Sequence, residues 1–389
     1  VLCNAWSLGE KLYREIGDDD NTRRCSGNLR LLKDELPKLL EGVHPIDFSD
    51  LICDNNTTID QPIDTGSAIV QKNYEAHGAF PRMNIAQLVI TNEGVRNQFI
   101  ERAVMVLSEE IEKTTKKYID SLSLSYLHCL ANGYLATHNL DTELCITRWD
   151  DKIISILLRV DYYTNGPHDI TTFHAFNYSI KEGKLLVESE LVGTEIYETA
   201  FRVMQETYID MLFIDEVDSE NSEIILSPAG YTFIFNPGIG AAYVNGPLSI
   251  TVLYNDSSAY KSTSSFVSEI PAYVPFTSVN NVIYTIYNNV EGTEHKGFRI
   301  ERERDTYYVE TAFSLSSNDR LYYILFEGKE YITVQDSSAH KMYVYLLSDN
   351  EYVKRSTISV NFNYESDSTV VYPIYTEFNM IAHLTHLLP

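Results

Sequence analysis

The sequence predicts a central α+β domain, with helices on an antiparallel sheet, a C-terminal all-β domain and a helical N-terminal segment. In the middle of the chain, long amphipathic stretches are followed or preceded by groups of apolar strands, which is typical of an α+β domain. Beyond residue 265 the helical periodicity gives way to short strands at regular spacing, which indicates an antiparallel sandwich or barrel. The predicted boundaries are 1–60, 61–264 and 265–389.

The N-terminal segment is predicted to be helical from the spacing of its apolar residues. Leu8, Leu12 and Ile16 share one helical face, and a second leucine-rich stretch follows at residues 32–43. Leucines at this spacing usually face a core. The polar stretch 46–66, rich in Asp, Asn and Thr, predicts a linker or a long surface loop.

Two amphipathic helices are predicted in the central domain. The first begins near Asn92, and its apolar stripe reaches Tyr118, with Glu and Lys side chains on the opposite face. The second spans Glu195–Leu212, and its predicted buried side includes Ala200 and Met211. The strands predicted between the two helices are Tyr134–His138, Leu140–Trp149, Lys152–Tyr163 and Thr171–Ser179.

The stretch Glu223–Tyr254 organises this domain. Tyr231, Phe233 and Phe235 alternate, so they share one face of a strand. Asn236-Pro237-Gly238 ends that strand. A loop of small residues then leads to a last strand, whose apolar residues also share one face: Leu248, Ile250, Val252 and Tyr254.

These motifs together resemble a bacterial extracytoplasmic domain. Phe235-Asn236-Pro237, a loop ending at Gly246 and an alternating strand are similar to the C-terminal motif of the ectodomain of RsiV-type anti-sigma factors, which sense lysozyme. The same domain precedes the catalytic domain in PdaC-type peptidoglycan deacetylases. Gly166 and His168 match the family's turn, and the resemblance spans about residues 75–262. It implies a fold similar to a small subdomain of the heat-shock-cognate ATPase.

The resemblance also implies a function. It predicts a secreted or cell-envelope bacterial protein that binds or senses its ligand without catalysis, the ligand being a cationic protein such as lysozyme. His168, Gly238, Ile239 and Tyr243 are the predicted ligand-binding residues. Gly238 and Ile239 stand where the family has Tyr followed by an acidic residue, so a change in specificity is expected.

Composition limits the possible partners. The chain has 389 residues and a net charge of −25, with a pI near 4.7. Such a chain repels nucleic acid and anionic lipid and attracts cationic proteins. No segment approaches the roughly 18 apolar residues of a membrane span, so membrane insertion is not expected. The negative charge argues against a nucleic-acid partner. No cofactor is expected either. The simpler interpretation, that the charge only keeps the protein soluble, stays open.

Two other functions stay open. The first is binding of glycan or peptidoglycan through the C-terminal β domain, where Tyr322-Tyr323 and Tyr343-x-Tyr345 are candidates to stack on sugar rings. The second is a hydrolase of unrecognised type. Ser258-Ala259-Tyr260-Lys261 and Ser348-Asp349-Asn350 match two motifs of penicillin-binding enzymes, but the third motif, Lys-Thr-Gly, is absent. We interpret the first match as a loop and the second as a hairpin turn.

The cysteine and histidine patterns do not predict a metal site. The five cysteines form no Cys-x-x-Cys pair, so no zinc site is predicted. Cys129 and Cys145 are candidates to meet across neighbouring strands, although buried free thiols are the favoured interpretation. His383 and His386 have the i, i+3 spacing of metal ligands on a helix, but this spacing is common by chance.

Overall fold

A computed structural model describes most of the chain between residues 68 and 373. The described ranges are 68–74, 81–89, 98–134, 137–208, 211–255, 258–261, 266–271, 274–280, 282–287, 297–302, 305–310, 320–326, 329–336, 341–348, 351–359, 364–366 and 369–373. The predicted N-terminal helices, Asp349 and Asn350 of the hairpin turn, and His383 with His386 lie outside these ranges.

The described chain is a mixed α/β structure in which strands predominate. Its helices are α1 (Gln98–Ala131), α2 (Glu188–Leu191) and α3 (Thr194–Thr207). Its first strands are β1 (Ala68–Tyr74), β2 (Arg82–Val89), β3 (Asn139–Trp149), β4 (Ile153–Tyr163), β5 (Ile170–Ser179), β6 (Lys184–Leu185), β7 (Glu223–Leu226), β8 (Gly230–Phe235) and β9 (Leu248–Leu253). The later strands are β10 (Phe266–Glu269), β11 (Phe276–Thr277), β12 (Ile283–Tyr287), β13 (Gly297–Arg302), β14 (Asp305–Glu310), β15 (Arg320–Phe326), β16 (Lys329–Asp336), β17 (Lys341–Ser348), β18 (Glu351–Ser359), β19 (Tyr364–Ser366) and β20 (Thr369–Pro373).

The largest sheet has eight strands in the order β19-β20-β1-β2-β3-β4-β5-β6. It was expected to be antiparallel, but β2 and β3 are parallel. The reason is α1, because a long helix between two strands returns the chain to the end of the sheet at which the first strand began. Since β19 and β20 join this sheet, it combines strands from both sides of the predicted boundary at residue 264. The domain boundaries themselves stay predictions.

Helix α1 packs on one face of the large sheet. Its buried side includes Leu107, which is 0% exposed and packs in one core cluster with residues of β2, β3 and β4. The helix runs well past the predicted stripe to Ala131, and the turn that follows it contains Gly133, whose φ of +69° suits glycine. The amide of Tyr134 donates to the carbonyl of Cys129 and that of Gly133 donates to Leu130, which is a Schellman termination.

This longer helix corrects two expectations. Tyr134 follows the helix terminus, and residues 137 and 138 are not in a strand either, so the predicted strand Tyr134–His138 is wrong at each of its described residues; the strand β3 begins at Asn139. Cys129 lies on α1 and Cys145 on β3, so the two do not meet across neighbouring strands. Both thiols are free, with Cys129 half-buried and Cys145 buried.

The opposite face of the large sheet is covered by the small sheet β7-β8-β9. Ile225 and Ile234 pack toward the large sheet, in a cluster with Leu157 and Phe173. Phe233 and Phe235 point the other way and pack with Met204 of α3. The two alternating faces predicted for this region are confirmed, because their members share one core cluster: Tyr231, Phe233, Phe235, Leu248, Ile250, Val252 and Tyr254.

The strands β10 to β18 form an antiparallel five-stranded sheet, β10-β15-β16-β17-β18, and an antiparallel four-stranded sheet, β11-β12-β13-β14, whereas β19 and β20 belong to the large sheet. Their shared core contains Phe266, Phe276, Tyr284, Tyr323 and Ile332. Alternation predicts strands at 282–287, 297–302, 321–326, 331–335, 342–347 and 352–360, and the structure has a strand at each of these places, whereas β10, β11 and β19 were not predicted. The antiparallel pairing expected here is therefore confirmed.

A β-bulge in β3 lies where β10, one of these later strands, contacts it. The pairing of β3 with β4 shifts register between Ile146 and Arg148, which leaves Thr147 outside the regular ladder. The Ser268 hydroxyl of β10 donates to the carbonyl of Thr147. The Glu269 carboxylate accepts from the amide of Ile146 at 3.0 Å. Side chains of β10 therefore satisfy backbone groups of β3 at the bulge.

Candidate functional site

The loop after β8 is fixed by Asn236, which explains the Phe-Asn-Pro motif. Its side-chain oxygen accepts a hydrogen bond from the amide of Phe173 at 2.7 Å. Phe173 lies on β5. At this position no described strand pairs with the edge of β5 that faces away from β4. The side chain of Asn236 therefore takes the place of a strand at this edge, and it fixes where the loop starts.

The loop then turns tightly and packs down on α3. Gly238 has a φ of +86°, which favours glycine. A Cβ on Gly240 would lie 2.9 Å from Cε of Met204 and 3.2 Å from Cδ1 of Leu248, so this position has little room for a side chain. Small residues therefore hold the loop close to the core, and they leave Ile239 pointing outward with 42% of its surface exposed.

The structure brings the predicted ligand-binding residues together. The rings of His168 and Tyr243 stack, with centroids 4.2 Å apart and planes at 28°. The Tyr243 hydroxyl donates to the carbonyl of Asp169 at 2.5 Å, and Nδ1 of His168 lies 2.8 Å from the same oxygen. Gly238 lies beside the Tyr243 ring, and Ile239 is its neighbour in the loop.

Sequence reasoning missed a further set of exposed apolar side chains around this cluster. The amide of Phe213 donates to the carbonyl of Gly240 at 2.9 Å, and Nδ2 of Asn245 contacts Sδ of Met211 at 3.9 Å. These contacts hold the segment after α3 against the loop. We call the combined exposed apolar side chains the loop surface; they are Ile170, Met211, Phe213, Ile239, Tyr243 and Val244.

The loop surface contains two apolar side chains that are strongly exposed. Val244 is 90% exposed and Phe213 is 67% exposed, although both are apolar. Met211 was expected on the buried side of a helix, but α3 ends at Thr207 and Met211 is 40% exposed. No sequence signal distinguishes such residues from core residues, because hydrophobicity alone does not reveal exposure.

Carboxylates border the loop surface. Asp169 is exposed in the β4–β5 turn, and Asp215 and Glu216 are exposed just after Phe213. Near Asp169, burial raises the pKa of Asp141, and the charge of Asp169 adds to that rise. The surface therefore combines an apolar centre with negative charge at its border.

A second group of ionisable residues links α1 to the sheets. Oη of Tyr118 lies 2.7 Å from Nε2 of His174, and Nδ1 of His174 lies 3.5 Å from the Glu223 carboxylate. The other carboxylate oxygen of Glu223 accepts from the amide of Ala175 at 2.9 Å. Burial raises the pKa of Tyr118. These contacts connect α1, β5 and β7.

Ser258 and the pair Tyr322-Tyr323 make contacts within the fold. Ser258 begins a turn in which the Lys261 amide donates to its carbonyl at 3.3 Å, so the loop interpretation is confirmed. Tyr322 is 4% exposed and Tyr323 is 0% exposed. The expectation that these two tyrosines stack on sugars is therefore wrong, because β10 and β16 flank them and Tyr323 packs in the core.

The described ranges contain no cluster of three or more His, Cys, Asp or Glu side chains that could hold a metal ion. In the same ranges, no helix is both long enough and apolar enough to cross a membrane.

No family model matches this sequence, and no curated protein matches it. Two solved structures of DUF3298 proteins, a domain family of unknown function, are similar to about half of the chain. The first, from Bacteroides fragilis NCTC 9343, is 16% identical with a TM-score of 0.33, and the match covers 50% of this chain and 92% of that one. The second, from Pseudomonas aeruginosa PAO1, is 14% identical with a TM-score of 0.32, and the match covers 51% of this chain and 93% of that one.

Proposed function

We propose that this chain is a non-catalytic binding or sensing protein, secreted or held at the bacterial cell envelope, that recognises a cationic protein such as a lysozyme. The observation that carries the proposal is the loop surface with its acidic border. Contiguous exposed apolar side chains on a folded protein mark sites of interaction. The predicted resemblance to RsiV-type ectodomains supports the same class of ligand.

The loop surface has the composition of a protein-binding site. An apolar centre with a polar or charged border is the usual anatomy of a protein–protein interface. Tyr243 is already held by the His168 ring and by the Asp169 carbonyl. Less conformational entropy is therefore lost when a partner covers it.

The net charge of −25 supports a cationic partner. Opposite charge accelerates association by roughly 10–10³-fold at low salt. The apolar contact is not screened, whereas charge attraction between exposed groups falls off over about 8 Å at 0.15 M salt. Specific recognition by the loop surface therefore persists at physiological salt, while simple attraction between an acidic and a basic protein does not.

Calorimetry tests the proposal with lysozymes and with uncharged cell-wall glycans, each at low and at physiological salt. We expect stoichiometric binding of a lysozyme that remains at about 0.15 M salt. Binding that vanishes at that salt would contradict the proposal. Glycan binding without lysozyme binding would favour the alternative of a glycan-binding protein.

A pair of variants locates the site. Phe213→Ser and Val244→Ser remove apolar area at the centre of the loop surface, and each is expected to weaken binding by about tenfold or more. Val187→Ser is the matched control, because Val187 is 59% exposed but belongs to a different part of the surface. Equal weakening by the control would show that binding does not depend on the loop surface.

A further inference from the structure

Helix α1 is longer than β3, one of the strands on which it packs. Its 34 residues span about 51 Å at the usual rise of a helix. The 11 residues of β3 span roughly 36 Å. The last fully buried residue of α1 is Leu122. Beyond it one side of the helix still packs, since the Ser125 hydroxyl lies 2.9 Å from Nε2 of His138 and the Tyr126 ring contacts the His138 ring.

This final part of α1, residues 123–134, which we call the overhang, carries exposed apolar side chains. Leu124 is 45% exposed, Leu130 is 42% exposed, and Tyr134 is 63% exposed. Leu127 lies three residues from both leucines, so the three occupy one side of the helix. An apolar helix side that the described residues leave exposed is costly in water unless a partner covers it.

The overhang ends in a capped helix terminus and not in a frayed one. Its terminal carbonyls are satisfied by the Schellman bonds from Gly133 and Tyr134. Asn132 adds a side-chain hydrogen bond to the carbonyl of His128 at 2.7 Å. The exposed leucines are therefore presented in a fixed geometry.

The overhang also lacks charge. Residues 121–134 contain no Asp, Glu, Lys or Arg, in a chain with 55 acidic and 30 basic residues. Earlier on the same helix the corresponding side carries charged residues, including Glu109, Glu112 and Lys116. The uncharged stretch begins beside Leu122, the last fully buried residue of the helix.

We propose that the overhang is a surface for self-association, on which a second copy of this chain docks through its own overhang. Two molecules that each carry a charge of −25 repel each other over most of their surfaces. They meet at least cost where neither carries charge. A cationic partner gains nothing from an uncharged surface, so charge favours a second copy here over the ligand of the loop surface.

The size of the overhang predicts a weak dimer. A contact between two helix ends of about three turns buries less area than the 1,200–2,000 Å² of a standard stable interface. We therefore expect a symmetric, concentration-dependent dimer with a dissociation constant between roughly 1 μM and 1 mM. Because salt screens the repulsion between the copies, association is expected to strengthen as salt rises.

Sedimentation equilibrium over a concentration series tests the proposal. Leu124→Glu and Leu130→Glu place a carboxylate on the overhang, and the double variant is expected to weaken dimerisation by about tenfold or more. Met105→Glu is the control, because Met105 is 62% exposed on the charged portion of the same helix. It is expected to leave dimerisation unchanged.

Three results would overturn the proposal: a wild-type chain that stays monomeric up to roughly 1 mM, a double variant that associates like wild type, or a control that dissociates equally. Circular dichroism of each variant establishes that the helix is intact. Because lysozyme binding uses the loop surface, it is measured separately and does not affect this test.

Discussion

Gly230 shows how closely β8 and β9 pack, because even a methyl group does not fit between them. A Cβ on Gly230 would lie 2.1 Å from the carbonyl oxygen of Val252 and 2.8 Å from Cα of Leu253. These are backbone atoms of the paired strand β9, which cannot rotate away. We expect Gly230→Ala to lower the free energy of unfolding by about 1–3 kcal/mol, as measured by urea denaturation.

Gly166→Ala is the matched control for that substitution. A Cβ on Gly166 would lie 3.7 Å from the carbonyl oxygen of His168, which is an ordinary contact. Its effect on the free energy of unfolding is expected to stay within about 0.5 kcal/mol. An equal loss for both variants would argue against the steric explanation.

His138 is expected to make stability depend on pH. It is 4% exposed, its Nε2 lies 2.9 Å from the Ser125 hydroxyl, and burial lowers its pKa. In the unfolded chain the ring titrates near its ordinary pKa of about 6.5. The stability that the neutral ring contributes is therefore present above that pH and lost as pH falls through the lowered pKa of the folded state.

The variant His138→Phe does not titrate, so it isolates this contribution. Between about pH 8 and pH 5, wild type is expected to lose more stability than His138→Phe. Urea midpoints of both proteins at both pH values measure the difference. Identical losses would mean that protonation of His138 does not oppose folding.

Single residues also show what the sequence could predict about the candidate site. His168, Gly238 and Tyr243 were predicted because turn chemistry and the family resemblance pointed to two loops, and these loops meet in the structure, while the role of the residues in ligand binding stays a prediction. Phe213 and Val244 were missed because the sequence shows that a residue is apolar but not whether it is exposed. Exposure depends on how segments distant in sequence pack, which no local pattern records.

A buried ion pair between β10 and β15 lies where β10 contacts β3. Nη1 of Arg320 lies 2.6 Å from Oε1 of Glu269, and the two side chains are 7% and 6% exposed. Glu269→Gln leaves the buried guanidinium of Arg320 without its counter-charge. We expect a loss of about 3–5 kcal/mol in the free energy of unfolding, measured by urea denaturation.

The double variant Glu269→Gln with Arg320→Met removes both charges and completes the test. Because the unpaired charge is then gone, it is expected to recover much of the stability that Glu269→Gln loses. A double variant as unstable as the single one would show that hydrogen bonds to the β3 backbone, and not the charge pair, hold the two elements together.

Elements differed in how well the sequence predicted them. The strands beyond residue 265 were placed closely, because alternation with a period of two is a local property. The end of α1 was not, since the apolar stripe on which the prediction relied serves only the packed portion of the helix. Gly133 was the available signal for the true terminus, as glycine commonly ends helices. The parallel pairing of β2 and β3 depends on tertiary arrangement and has no local signature.

For the whole molecule, one property predicts two opposite responses to salt. In our two proposals, the charge of −25 favours the approach of a cationic ligand to the loop surface and opposes the approach of a second copy to the overhang. Added salt screens both effects. Lysozyme association is therefore expected to slow as salt rises while self-association strengthens. This contrast separates the two proposed surfaces without any substitution.

The central part of the chain is expected to depend on the strands beyond residue 264. Cys145 is 7% exposed, and burial raises its pKa, so its thiol is expected to react very slowly in the full chain. Its cover includes Val274 and the carbonyl of Glu269, which both lie beyond the predicted boundary. A fragment of residues 61–264 lacks this cover and also lacks β20, which pairs with β1.

We therefore expect a maleimide to label Cys145 at least about tenfold faster in the fragment than in the full chain. Cys129 is the internal control, because it is half-buried on α1 and does not depend on the later strands. Mass spectrometry of each labelled peptide gives the two rates. A fragment in which Cys145 stays as protected as in the full chain would establish residues 61–264 as an independent domain, and the contacts with β10 and β20 would then be additions to a fold that is already complete.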